Sequence, residues 1–321
     1  MTAEPPPDLA VVIVSTNEAS WLAPCLTTVF ARAGGARLDV VVVDNDSTDG
    51  TRALVEERFP RARVVASENR GFAHANNRGA LTTRARHVLF LNPDTELLEG
   101  TLGTLVARMD AEPAIGLAGV RQVTADGRLH PTIRAFPTVR RALGQALGAE
   151  RWPGRWAWAR ERELDLRRYD ADRRCDWTSG SFMLVRREAL DAAGLLDERF
   201  FLYSEEPDLC LRIVRAGWEV RHLAAMTILH HAGKGGIRPR MVAQDAYARR
   251  QYARKHFRRG HREAYLAAVA TGHLLRAAVP DPGERTPRRA AARLALRTLA
   301  GRAAPPFGPP PPTALPRRWG R

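Results

Sequence analysis

Along the first 120 residues, short blocks of branched apolar residues alternate with segments of helical length. The blocks Leu9 to Val14, Leu38 to Val43, Arg63 to Ala66, His87 to Leu91 and Ile115 to Val120 are predicted strands. Between them Trp21 to Ala33, Thr51 to Phe59, Phe72 to Thr83 and Leu102 to Asp110 are predicted helices. Such alternation builds βαβ units and a mostly parallel sheet, and strands that are apolar on both faces need helices on both sides. The predicted class is therefore α/β. Polar and turn-forming punctuation, at Asp49-Gly50, Asn69 to Gly71 and Pro93-Asp94, falls at or just after the carboxyl ends of strands. That edge is where open α/β sheets bind ligands.

Residues 131–175 break the pattern. They are rich in Arg, with Trp152, Trp156 and Trp158, and a loop or helical insertion is expected. Regularity returns with a turn at Trp177 to Ser181, a strand Phe182 to Val185 and a helix ending near Gly194. A further helix is expected from about Glu205 to Ala216, stopped by Gly217, then a strand Glu219 to Leu223 leading towards His230-His231. Beyond Met241 the chain reads as helical and basic, then Pro-rich and extended from Pro305 to Pro316, and is expected to pack no core. The stretch Tyr265 to Val279 is apolar but short and carries His273 and Arg276, so it can lie in an interface and cannot cross one.

Composition sharpens this picture in three places. A chain of 321 residues with 45% hydrophobic content can bury a large core. Its three cysteines, Cys25, Cys175 and Cys210, are far apart and odd in number, which fits a reducing compartment and neither a disulfide framework nor a zinc cluster. Met1 to Asp8 offers acid and proline where an export signal needs basic and then apolar residues, so a cytoplasmic protein is expected. The net charge of +15 takes its meaning from its location: residues 238–321 hold 19 Lys and Arg against 4 Asp and Glu, and the rest of the chain is neutral. A basic segment appended to a neutral domain reads as a surface for lipid headgroups or another polyanion, or as a solvated tail. No helix-turn-helix, zinc finger or RNA-binding aromatic motif accompanies the charge, so no nucleic-acid partner is expected.

Four clusters carry candidate chemistry. In VVVDNDSTDG (41–50) an apolar strand delivers Asp44 to the sheet edge, where a carboxylate can accept the imide N–H of a uracil or thymine, with Ser15 and Asn17 on the neighbouring strand. Asp46, Ser47 and Asp49-Gly50 read instead as cap and turn residues. In VLFLNPDTE (88–96) an apolar strand presents Asn92 and Asp94, and a divalent hard cation bridging Asp94 to a diphosphate would give that carboxylate a partner. In FFLYSEEPDLCLR (200–212), Glu205, Glu206 and Asp208 stand at a helix start, where acids suit the helix dipole and where a carboxylate could act as general base on a hydroxyl. Finally, one imidazole of His230-His231 could complete a metal site, and Lys234 among glycines could hold phosphate.

Taken together, VVIVSTN, VVVDNDSTDG, ENRGFAHANNRG, LFLNPDTE, DWTSGSFMLVRREAL, DERFFLYSEEPDLCLRIVRAGW and ILHHAGK resemble segments of the family 2 glycosyltransferases, in their bacterial rhamnosyltransferase-like branch. The resemblance spans about residues 9–236. It implies a GT-A fold in residues 1–236, followed by a basic helical extension (237–303) and a Pro-rich tail (304–321). It further implies an inverting transfer from a dTDP- or UDP-sugar, dTDP-rhamnose first, to a lipid-linked or polysaccharide acceptor, with Mg²⁺ or Mn²⁺ as cofactor. By position, Ser15, Asn17 and Asp44 resemble nucleoside contacts, and Asn69, Phe72 and Asn76 the wall of the donor site. Asn92 and Asp94 match the family's Asp-x-Asp metal motif, with His230 as the histidine near the metal. Trp177, Ser179 and Gly180 match the acceptor-side segment. Three positions depart from the pattern: Thr16 replaces an aromatic residue, Asn92 opens the metal motif, and Glu205-Glu206-Pro207-Asp208 replaces Glu-Asp-x-Asp, which makes Glu206, or else Glu205, the implied base. A sugar-nucleotide nucleotidyltransferase would place glycine and basic residues just after the first strand, where this chain has Ser-Thr-Asn-Glu.

Overall fold

The computed structural model describes residues 5–151, 156–231, 238–278 and 285–308. Trp152, Lys234 and the Pro-rich sequence beyond Gly308 lie outside them. The chain runs β1 (Leu9–Ser15), α1 (Ala19–Ala31), β2 (Leu38–Asn45), α2 (Thr51–Arg58), β3 (Ala62–Ser67), α3 (Phe72–Leu81), β4 (His87–Leu91), β5 (Thr95–Glu99), α4 (Leu102–Ala111), β6 (Ile115–Val123) and α5 (Val139–Ala146). After short 3₁₀ turns come β7 (Arg173–Arg174), β8 (Phe182–Arg186), α6 (Arg187–Ala193), α7 (Glu205–Arg215), β9 (Glu219–His230), α8 (Pro239–His256), α9 (Arg259–Ala278) and α10 (Arg285–Leu299).

One mixed, mostly parallel sheet has the order β3-β2-β1-β4-β8-β6-β9-β5, with β7 beside β9. β1 to β4 run parallel to one another; β8 is antiparallel to β4 and β6, and β5 and β7 are antiparallel to β9. Alternate residues of each strand face opposite sides, and the two sides have separate cores. Leu9, Val11 and Ile13 of β1 pack with Leu22, Leu26 and Val29 of α1 and Leu105 and Met109 of α4. Val12 of β1 and Val41 and Val43 of β2 face the other way, in a core shared by Ala73 and Ala80 of α3 and Leu209 and Ile213 of α7. A helix-covered parallel sheet of this kind is what the two-sided apolar blocks predicted.

Two expectations change. The sheet has an edge strand, β5, that the sequence did not signal: the turn after Asn92 reverses the chain so that Thr95 pairs with His230 at the far end of β9. β9 correspondingly continues past Leu223 to His230, bulging at residues 224–226 before resuming its register with β6 at Thr227. The expectation that the sequence beyond Met241 packs no core is also overturned. Ala246 and Ala253 of α8, Tyr265, Ala268 and Val269 of α9 and Ala295 and Leu299 of α10 form a core with Ala142 of α5, and Tyr252 and Ala248 bury Phe200. Alanine-rich helix faces conceal this core from a pattern search tuned to Leu, Ile and Val. No helix among the described residues is long and apolar enough to cross a membrane.

Candidate active site

At the carboxyl ends of β1 and β2, the loops lock onto each other. Asn17 Oδ1 accepts from the Thr48 amide (2.7 Å), the Asn17 amide donates to Ser47 Oγ (3.1 Å), and Asp44 Oδ1 accepts from the Ser47 amide (3.1 Å). Ser15 is fully buried, with a hydroxyl that has no partner among the described residues. Asp44 lines a cavity of about 480 Å³ together with Ser47, Glu68, Arg70, His74 and Arg78. Among the other donor-side candidates, Asn69 is exposed, whereas Asn76 is buried and spends its amide on the Phe72 carbonyl within α3 (3.0 Å). The Phe72 amide donates to the Phe201 carbonyl (2.7 Å), which ties α3 to the loop before α7. Gly71 permits that approach: its φ is +100°, and a Cβ there would lie 2.3 Å from the Phe201 oxygen. Among the described residues, the four non-glycine residues with left-handed backbone, Asn17, Asp46, Tyr203 and Ser204, all lie in these loops. Such strain collects where loops are held for ligands.

The β5–β9 pairing brings His230 to Asp94, with Nε2 at 3.4 Å from Oδ1, while the His231 amide donates to the Asp94 carbonyl (2.9 Å). His231 itself bonds Glu96 (2.7 Å) and packs on Trp21. Glu18, which precedes α1, joins them: burial, and then the Asp94 charge, push its carboxyl up to about 7. His130 meets His230 edge-on at 5.8 Å and is pushed down to about 4 by burial and by the His230 and Arg134 charges. This donor set suits a hard cation. Asp94 and His230 converge, Nδ1 of His230 has no partner among the described residues, and burial together with the Asp94 charge raises the carboxyl of Glu18 nearby. Among the described residues no three His, Cys, Asp or Glu side chains make an all-protein metal site, which is the usual situation where phosphate oxygens complete the coordination.

Asn92 links this side to the acidic cluster. Its amide donates to the Ser181 carbonyl (3.0 Å), and one residue back the Gly180 amide donates to Glu206 Oε1 (3.2 Å). Gly180 is a close-approach glycine, since a Cβ would lie 2.8 Å from that carboxylate oxygen. Ser179 accepts from the Ser181 hydroxyl (3.2 Å), and Trp177 is buried with its indole N–H on the Ala135 carbonyl (2.9 Å) and the Arg134 guanidinium over its ring.

The three acids of α7 have three environments. Glu206 is half-buried, and its carboxyl is raised by burial despite the opposing Gly180 amide and Arg134 charge. Glu205 is 2% exposed, has an oxygen without a partner among the described residues, and is raised well above its ordinary range by burial and by Glu206. Asp208 is fully buried, hydrogen-bonded to His256 (2.7 Å) and paired with Lys255 (2.5 Å) and Arg212 (2.8 Å). Burial opposes its ionisation, but the His256 hydrogen bond and the two charges hold its pKa below the usual range.

Sequence reasoning missed Glu18, Arg134, Lys255 and His256. Glu18 carried a signal, as an acid directly after the strand-one polar loop. The other three reach the site only through tertiary packing.

The model of the family described as Glycosyl transferase family 2 matches residues 10–193. An N-acetylglucosaminyl-diphospho-decaprenol L-rhamnosyltransferase of Mycobacterium tuberculosis is 32% identical over 207 residues, which cover 60% of this chain and 66%, just under two thirds, of that protein. Rhamnosyltransferase WbbL of Escherichia coli is 22% identical over 231 residues, 69% of this chain and 83% of that protein. In fold, the mannosyltransferase PcManGT of Pyrobaculum calidifontis, solved with GDP-Man and Mn²⁺, superposes with a TM-score of 0.56 at 18% identity, over 93% of this chain and 89% of that one. With the family matched over more than half of its length on a GT-A type α/β fold, the chain belongs to glycosyltransferase family 2.

Proposed function

We propose that the protein transfers a sugar, with dTDP-rhamnose the first donor to test and other dTDP- and UDP-sugars next, to a hydroxyl of a lipid-linked or polysaccharide acceptor in cell-envelope glycan synthesis. The rhamnosyltransferase relatives, one of them named for a diphospho-decaprenol acceptor, support this choice. The observation that carries it is the run Asn92–Ser181–Gly180–Glu206, which joins the diphosphate side to a carboxylate through two backbone hydrogen bonds.

On this reading Ser15, Asn17 and Asp44 receive the nucleoside, and Asp94 with His230 would hold a Mg²⁺ or Mn²⁺ ion that, when bound, offsets the charge of the departing diphosphate. Glu206 takes the proton of the acceptor hydroxyl. The alkoxide oxygen so formed attacks the anomeric carbon from the face opposite the nucleoside diphosphate, and the configuration inverts. Glu206 is preferred over its neighbours because it is half-open, oriented by Gly180 and raised in pKa, whereas Asp208 is committed to Arg212, Lys255 and His256. Arg134 moderates that raised pKa. The basic residues 238–321 support a peripheral station on an anionic membrane surface.

The test is donor turnover by purified full-length protein across a panel of nucleotide sugars with Mn²⁺. Asp94→Ala is expected to reduce turnover by roughly 100-fold or more. Full activity in that variant would refute the diphosphate role.

A further inference from the structure

Outside the cleft, the most informative feature is a cavity of about 410 Å³ enclosed by α5, α8 and α9 and by Tyr203. A second cavity, of about 330 Å³, adjoins it towards α10 and shares Val242, His273 and Arg276. Ala146, Val242, Val269 and Gly272 make much of the wall apolar, yet Arg249, Arg276 and His273 open into it. Arg249 is balanced by Asp245 (2.8 Å) and Glu161 (3.7 Å). Arg276 is exposed and has no ion pair or hydrogen bond to any described residue; partial burial and the Arg249 charge lower its pKa against the opposing charges of Asp245 and Glu150. His273 is 5% exposed, likewise without a hydrogen-bond partner among the described residues, and is pushed down to about 4 by burial and by Arg276. An exposed guanidinium that no described side chain engages can pair with an anion seated in the cavity through charge-assisted hydrogen bonds.

The outer surface of the same helices indicates what carries the anion. Leu143 and Leu147 of α5, Trp158 in the turn packed against α5, and Leu274 and Leu275 of α9 are all exposed. Large apolar side chains left in solvent around a cationic cavity suit a ligand that is anionic at one end and hydrocarbon at the other. The cavity also adjoins the acidic cluster. Tyr203, which lines it, has a phenol raised by burial and by the charges of Asp245, Glu205 and Glu206.

We propose that this cavity binds the phosphate groups of a polyprenyl-phosphate-type acceptor, with Arg276 as the main contact and the hydrocarbon chain leaving over the exposed α5–α9 face. The proposal rests on the reading of a lipid-linked acceptor given above and adds the residues that would recognise it. The test is direct binding to the full chain without donor, by calorimetry, using farnesyl diphosphate, inorganic pyrophosphate and farnesol as probes. Farnesyl diphosphate is expected to bind at least about tenfold more tightly than either of the others. Arg276→Gln is expected to weaken it by about tenfold or more, and Arg276→Lys to restore part of the loss. A second variant, Val242→Phe, narrows both cavities without touching charge and should also weaken binding. Equal affinity for pyrophosphate and farnesyl diphosphate would overturn the lipid assignment, and unchanged farnesyl diphosphate affinity in both Arg276→Gln and Val242→Phe would overturn the site. Because no donor or turnover enters the measurement, its failure is distinct from failure of the transferase reading.

Discussion

Three carboxylates within four positions of α7 show how far environment separates side chains of the same charge. For Glu206 the expected result of Glu206→Gln is a loss of roughly 10²–10⁴ in kcat with little change in donor KM, read by steady-state kinetics. Glu205 has a folded-state pKa above its unfolded one, so folding favours its protonated form. That contribution is complete below about pH 4.5 and is lost as the pH rises through the raised value. Glu205→Gln, neutral at every pH, should therefore unfold at a higher temperature than the parent at pH 8, and the difference should vanish near pH 4 in calorimetry. Asp208 has the opposite sign. Its depressed pKa stabilises the fold at neutral pH and ceases to do so as the pH falls below the ordinary carboxylate range. Asp208→Asn leaves Lys255, His256 and Arg212 without their common anion, and urea denaturation at pH 7 should register a loss of about 3–5 kcal/mol. The sequence displays all three acids but cannot sort them, because two of the three groups that engage Asp208, Lys255 and His256, arrive on α8, His256 some 48 residues later.

At the scale of elements, the parallel half of the sheet was open to sequence reading because its strands are short, branched and apolar on both faces. β4 begins and ends where expected, at His87 and Leu91. β5 was not, since Thr-Glu-Leu-Leu-Glu is too short and too acidic to signal an edge strand, and its pairing depends on the distant end of β9. The contact of His230 with Asp94 was proposed from motif order, yet its cause is that unseen strand. Gly180, read in the sequence as part of a turn in the acceptor-side segment, proves to be the point where β8's approach meets α7. Gly180→Ala should displace the Glu206 carboxylate, a flexible side-chain end, and not the backbone. The expected outcome is a drop in kcat with a thermal midpoint within a few degrees of the parent, a combination that loss of packing would not produce.

At the scale of the molecule, net charge was readable as a number and misleading as a description. The basic helices α8 to α10 carry both a solvent-facing cation excess and an alanine- and tyrosine-lined core, and they supply two of the groups that neutralise Asp208. Co-sedimentation with vesicles rich in anionic lipid is expected at low ionic strength and should be lost in about 1 M salt, where the screening length falls to about 3 Å. The hydrogen bond from Phe72 to Phe201 has a kinetic consequence. It couples the loop that borders the nucleotide half to the backbone that carries Tyr203, Ser204 and Glu206. A nucleotide sugar that stiffens α3 therefore also sets the seat of the second substrate, so the reaction should be compulsory-ordered, donor before acceptor, with the released nucleoside diphosphate competing only against the donor.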